Sequence, residues 1–173
     1  MSPRTGWPEA FPKSSESATQ IFRRLFDALD AENREATLDA LRGGYELLSR
    51  DGIGAWLECM DPEIEWSEGA EVPERHVYHG HEGVLRQQER FEEAWESFRI
   101  EPVDFTASGD KLVVIVNLWG RGRGSGVEVE ARGAHLWEFR NGKAVRFEIY
   151  GEPERALREV TAQPQPRSRR FAT

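Results

Sequence analysis

The stretch VVIVNLWGRGRGSGVEVEARGAHLWEFRNGKAVRFEIYGEPERAL, from Val113 to Leu157, holds a Val-rich run, a Gly/Arg loop and two further strand-like runs. Asn141-Gly142 joins those two runs, and a short helix follows. The preceding half reads as mostly helical, so helices come first and a contiguous sheet comes last. That order predicts an α+β domain rather than alternating βαβ units. Its sheet is expected to curl, as an antiparallel (mixed) layer, around the N-terminal helices. Such a sheet leaves a pocket on its concave side.

The Asn141-Gly142 hairpin allows two registers. A two-residue type I′ turn sets His135 against Glu148 and Trp137 against Arg146. A three-residue turn with Gly142 left-handed, a G1 bulge, pairs Phe139 with Lys143, Trp137 with Val145 and His135 with Phe147. A one-residue slip exchanges the faces of a strand. The second register gathers Trp137, Phe139, Val145, Phe147 and Ile149 on one apolar face, and it is the expectation adopted. His135 then points into the concave core.

Strands are expected near 62–67, 100–108, 111–121, 126–139 and 143–150, with a short edge strand at His76-Val77-Tyr78. Phe22, Leu25, Phe26 and Leu29 repeat at helical spacing behind a Ser17 or Thr19 cap. A second helix starts near Asn33 and contains Gly43-Gly44, a pair that implies close packing by a neighbour. Ile53 to Met60 makes a shorter helix, 81–98 a long one, and Pro153 to Val160 the last. The organisation reads as a disordered N-terminus at 1–17, the extra helix at 18–32, the main domain at 33–160 and a basic tail at 161–173.

A length of 173 residues suits one domain, and six Trp with nine Phe supply a core. The net charge of −8 argues against nucleic acid or an anionic membrane surface as partner. Cys59 is the single cysteine, which excludes an internal disulfide and a Cys-based zinc cage. No run approaches the ~20 apolar residues of a membrane span, and no signal peptide is evident, so a cytoplasmic protein is expected.

Three motifs invite a functional reading. His76, His79 and His81 with Glu82 match no strong metal spacing, and no metal is expected. Gly120 to Gly126 resembles a phosphate loop but leads into more strand rather than a helix. Arg121 or Arg123 within it could close over an anionic ligand. Trp66, Trp119, Trp137 and Phe147 could line a pocket for a flat hydrophobic ligand, and core filling explains the tryptophans equally well.

The run "YHGHEG" opening a long helix, with the closing "HLWEFRNGKAVRFEIYGEPERAL", resembles the SnoaL-like polyketide cyclase group over about residues 34–160. That group belongs to the nuclear-transport-factor-2-like superfamily, which includes ketosteroid isomerases. The resemblance implies a homodimer formed through the convex sheet face (Leu136, Glu138, Arg146, Glu148, Tyr150). It also implies small-molecule chemistry without a cofactor. A ketosteroid isomerase carries a carbonyl-polarising Tyr in its first family helix, and Tyr45 in "GGYELL" falls near that place. Where those enzymes hold a protonated Asp, this chain has His135. For their general base, Trp66, Ser67 and Glu68 compete, and Glu68 is the only carboxylate.

Two functions follow as expectations. The first is an isomerase, cyclase or hydratase acting on a hydrophobic carbonyl-type substrate, with Glu68 as base and Tyr45 and His135 on the substrate oxygen. The alternative is a non-catalytic ligand-binding or interaction module that uses the same cone.

Overall fold

The computed structural model describes residues 16–68 and 74–161. Four α-helices lie at Ala18–Asp30 (α1), Arg34–Asp51 (α2), Gly80–Ala94 (α3) and Pro153–Thr161 (α4). Six strands lie at Met60–Glu68 (β1), Val77–His79 (β2), Trp95–Ser108 (β3), Lys111–Gly122 (β4), Glu128–Arg140 (β5) and Lys143–Tyr150 (β6). They form one sheet in the order β2-β1-β6-β5-β4-β3. Only β1 and β6 run parallel, so the sheet is mixed. The α+β reading is borne out. The expected disorder of the N-terminus and the character of the basic tail fall outside the described residues, apart from their innermost positions.

The cap expected at Ser17 forms, and Asn33, near which the second helix was expected to start, caps α2. Ser17 and Gln20 make a reciprocal capping box at α1, and the Asn33 side chain accepts from the Ala36 N–H at α2. The Gly43-Gly44 pair is where α1 packs against α2: a Cβ on Gly43 would meet the Arg24 guanidinium at 3.2 Å. The Gly44 carbonyl also accepts a 3.0 Å bond from Trp56 Nε1. The segment Ile53–Cys59 is 3₁₀ rather than α-helical.

Two expectations change. The long helix ends at Ala94, not at 98, because Trp95 onward joins the sheet, Trp95 pairing with Gly122 and Phe98 with Gly120. A contact distant in sequence enforces this stop. Arg123 donates to the carbonyls of Glu92 (3.0 Å) and Trp95 (3.1 Å), and its backbone N–H bonds to the Ala94 carbonyl. A cation at a helix C-terminus satisfies the orphan carbonyls and complements the dipole.

The hairpin register is the second correction. Asn141 (φ 52°) and Gly142 (φ 75°) are both left-handed, as a two-residue type I′ turn requires, and Arg140 pairs with Lys143. The bulge lies beyond the turn, where Phe139 pairs with Ala144 but Glu138 with Arg146, leaving Val145 as the extra residue. Trp137 then faces Phe147 and His135 faces Ile149. The expected face assignment survives with a different mechanism, and Ala144 takes the inner place foreseen for Val145.

The concave core joins α1, α2 and the 3₁₀ segment to the inner faces of β1, β4, β5 and β6. Phe22 of α1 lies 6.0–6.4 Å, edge-on, from Phe26, Trp56, Trp137 and Phe139. A second cluster covers the convex face, where Ala156 and Val160 of α4 pack on Val113, Ile115, Ala134, Leu136 and Tyr150. Leu136 and Tyr150, expected at a dimer interface, are therefore covered by the chain's own last helix. Among the described residues no helix is long and apolar enough to cross a membrane.

Because Phe22 is buried against four aromatic rings, Phe22→Ala is expected to lower stability by about 3–5 kcal/mol. Chemical denaturation followed by Trp fluorescence measures this, and a neutral result would detach α1 from the core.

Candidate functional site

A cavity of about 770 Å³ opens between the end of α2, the 3₁₀ segment, the second half of α3 and the concave sheet face. Its floor is apolar: Trp66 and Phe147 stack at 3.8 Å between ring centroids, flanked by Ile100, Leu118 and Ile149. Phe91, Trp95 and Phe98 form one wall, with Phe91 edge-on to Phe98 at 4.3 Å. Trp95 can lie there because Gly120 has no side chain; a Cβ at that position would sit 2.7 Å from its ring. Arg50, Asp51, Gln87, Gln88 and Glu92 make the mouth polar. Gln88 fastens one edge of it by accepting the Ile53 N–H at 2.6 Å.

His135 is 4% exposed and lines this cavity. Its Nδ1 lies 2.7 Å from the Tyr45 hydroxyl, with the two rings nearly parallel. Trp137 Nε1 donates to that same hydroxyl at 3.4 Å. These contacts decide the proton positions. The indole can only donate, so the Tyr45 oxygen accepts from it. Among the described residues the acceptor within reach of the Tyr45 proton is His135 Nδ1, so the tyrosine donates there. The imidazole therefore carries its own proton on Nε2. Burial pushes the His135 pKa down to about 3 and the Tyr45 pKa up, so both rings are neutral at physiological pH. The relay Trp137 → Tyr45 → His135 ends in a neutral N–H donor that lines the cavity.

The predicted site residues divide. Tyr45 and His135 meet, Trp66, Phe147 and His135 line the cavity, and Trp137 stands behind it as the first donor of the relay. Glu68 sits at the end of β1, where its Oε2 accepts from His76 N (3.1 Å) and lies 3.4 Å from His76 Nδ1. It does not line the cavity among the described residues.

Trp119 and Arg121 require correction. Leu112, Val114, Val116 and Leu118 face the concave core while Val113 and Ile115 face α4, so strict alternation turns 119 and 121 outward. Arg121 pairs there with Glu128 at 3.3 Å. Arg123 lines the mouth but is committed to the end of α3. The histidines of the 76–81 segment are dispersed. His76 is on Glu68, His79 precedes α3, and His81 Nε2 contacts the Met60 carbonyl at 3.0 Å. Sequence reading did not single out Gln88 or the Phe91–Trp95–Phe98 wall as site residues. Their helical spacing signals only a buried face, and the break at Trp95 turns that face into a cavity wall.

With this geometry in view, comparison with known proteins finds a SnoaL-like domain over residues 41–147. Curated proteins give no match. Among solved structures, an NTF2-like protein from Burkholderia thailandensis matches at 23% identity and a TM-score of 0.54, over 86% of this chain and 99% of that one. TerC, co-crystallised with polyporic acid, matches at 18% identity and a TM-score of 0.53, over 85% and 100%. A protein with a ketosteroid isomerase-like fold from Catenulispora acidiphila, in complex with trimethylamine, matches at 15% identity and 0.55, over 69% and 87%. At these identities the structural likeness establishes the fold alone.

Two outcomes are expected from the relay. Long-range 1H–15N correlation spectra find His135 neutral and protonated on Nε2, and Tyr45→Phe removes that preference. The folded ring resists protonation down to about 3, whereas an unfolded histidine binds a proton below about 6.5. Between these values the unfolded state holds more protons, so stability is fully present above about 6.5 and falls as pH is lowered. The contribution reaches at most roughly 1.4 kcal/mol per pH unit. Comparing the denaturation of wild type and His135→Gln across that window isolates it.

Proposed function

The chain belongs to the SnoaL-like domain family, and we propose that its cavity takes a hydrophobic small molecule by a carbonyl-type oxygen and moves a proton on it. In this reading the protein is an isomerase, cyclase or hydratase that works by acid–base chemistry. His135 Nε2–H holds and polarises the oxygen, Tyr45 and Trp137 fix that donor, and Glu68 is the base. Trp66, Phe147 and the Phe91–Trp95–Phe98 wall grip the apolar body of the ligand.

One observation carries the assignment. Ile149 pairs with Glu68 on one side and with His135 on the other. Ladder partners share a sheet face, so the side chains of residues 68 and 135 leave the sheet on the same, concave side, in one row through Ile149. Two strand spacings put their Cα atoms roughly 10 Å apart, a distance that side chains and a two-ring ligand span together. A neutral donor in an apolar cavity is worth more to a developing oxyanion than the same donor in water.

A second reading, ligand binding without turnover, is supported by the engagement of Glu68 with His76 outside the cavity lining. A second copy of the chain, in either reading, would meet the convex face around Glu138 and Arg146, since α4 occupies Leu136 and Tyr150.

The base-catalysed opening of 5-nitrobenzisoxazole separates the two. In it a carboxylate removes the ring C–H proton, the N–O bond breaks, and the phenoxide oxygen that forms needs a donor. Wild type is expected to accelerate the reaction above carboxylate in buffer, Glu68→Gln to fall to that background, and His135→Ala to lose about 100-fold. Saturable binding of 2-acetylnaphthalene with no acceleration by wild type would select the non-catalytic module.

A further inference from the structure

Glu68 is not a bare loop carboxylate. Its Oε2 is claimed twice by one residue, through the His76 backbone N–H at 3.1 Å and the ring Nδ1 at 3.4 Å. Arg75, the neighbour of His76, donates through Nε to the Glu68 backbone carbonyl at 2.7 Å and through Nη2 to Ser67 Oγ at 3.2 Å. Residues 75 and 76 thus strap down the end of β1 at both main chain and side chain. The other carboxylate oxygen, Oε1, has no hydrogen-bond partner among the described residues. His76 is itself supported, since its ring lies nearly parallel to Tyr78 at 6.2 Å.

We infer that His76 is the positioning residue of the base. It holds Oε2 of Glu68 as an acceptor so that Oε1 is the oxygen presented to the substrate proton. This rests on the reading of Glu68 as base and adds a partner to it. An ionised carboxylate is acceptor-only, so a ring nitrogen facing it carries a proton. The neutral His76 ring is therefore the Nδ1–H tautomer, on a side chain that is itself half-exposed. The device is asymmetric: one oxygen accepts from two N–H groups and keeps its orientation, while the other keeps its lone pairs. Fixing the base in this way spares the entropy of searching for a productive rotamer at each turnover. In the reaction itself one proton moves from substrate carbon to Oε1. The His76 Nδ1–H bond stays intact throughout.

The tautomer is testable without any substrate. Long-range 1H–15N correlation spectra are expected to find the neutral His76 ring protonated on Nδ1 in wild type and to shift towards Nε2–H in Glu68→Ala. An Nε2–H tautomer in wild type would overturn the inference. The second arm uses 5-nitrobenzisoxazole. His76→Ala is expected to lower kcat about tenfold with KM within twofold, and His76→Gln or added imidazole to restore part of the loss. Equal kcat in wild type and His76→Ala would end the positioning role while leaving Glu68 as base. A wild-type rate at background would end the reading of Glu68 as base, and the tautomer would then decide whether His76 holds it.

Discussion

One unpaired residue, Val145, sets the chemistry of the concave face. The Asn141-Gly142 turn by itself would bring Arg146 and Glu148 opposite Trp137 and His135, placing a buried ion pair where the cavity floor now lies. The bulge advances β6 by one residue, so Phe147 and Ile149 take the inner positions. Glu148 is driven to the other face, buried against Arg146 and Arg75. A strand has a period of two, so a single insertion exchanges every side chain beyond it. The stacking of Trp66 on Phe147 and the row Glu68–Ile149–His135 both depend on that exchange.

The relay behind the cavity is neutral throughout, and burial makes it so. Three polar groups sit in an aromatic interior where a charge on any of them would be heavily penalised. Their two mutual hydrogen bonds remove the alternative cost of leaving the indole and phenol donors unmet, about 1–3 kcal/mol each. Tyr45 here fixes which nitrogen of His135 carries the proton, and it lines the small space behind the cavity rather than the cavity itself. The helix α1 adds to the same enclosure. With Phe22 and Ile21 it closes the space behind Tyr45 and Trp137, and the cavity is left to open on the other side, between α3 and the end of α2.

Long-range contacts repeatedly overrule local preference around the cavity. Residues 95–98 continue the helical spacing of α3, yet they pair with β4 because Gly120 makes room for the Trp95 ring and Arg123 satisfies the last carbonyls of the helix. The glycine- and arginine-rich loop is thus a helix-terminating strap. Trp119 and Arg121 lie on the outer face of β4, and residue type alone does not reveal the parity of a long strand whose two faces are both covered.

The order of helices and strands, the cap at Ser17, the helix start near Asn33, the tight contact at Gly43-Gly44 and the apolar face carrying His135 were legible in the chain itself. They follow from periodicity, capping chemistry and steric rules that act within a few residues. The tertiary structure alone decided where the bulge falls, which face of β4 meets the cavity, that α4 covers the convex side, and that Glu68 is tied to His76. Each of these depends on distant segments meeting, and the energy of such meetings is written in no local window of sequence.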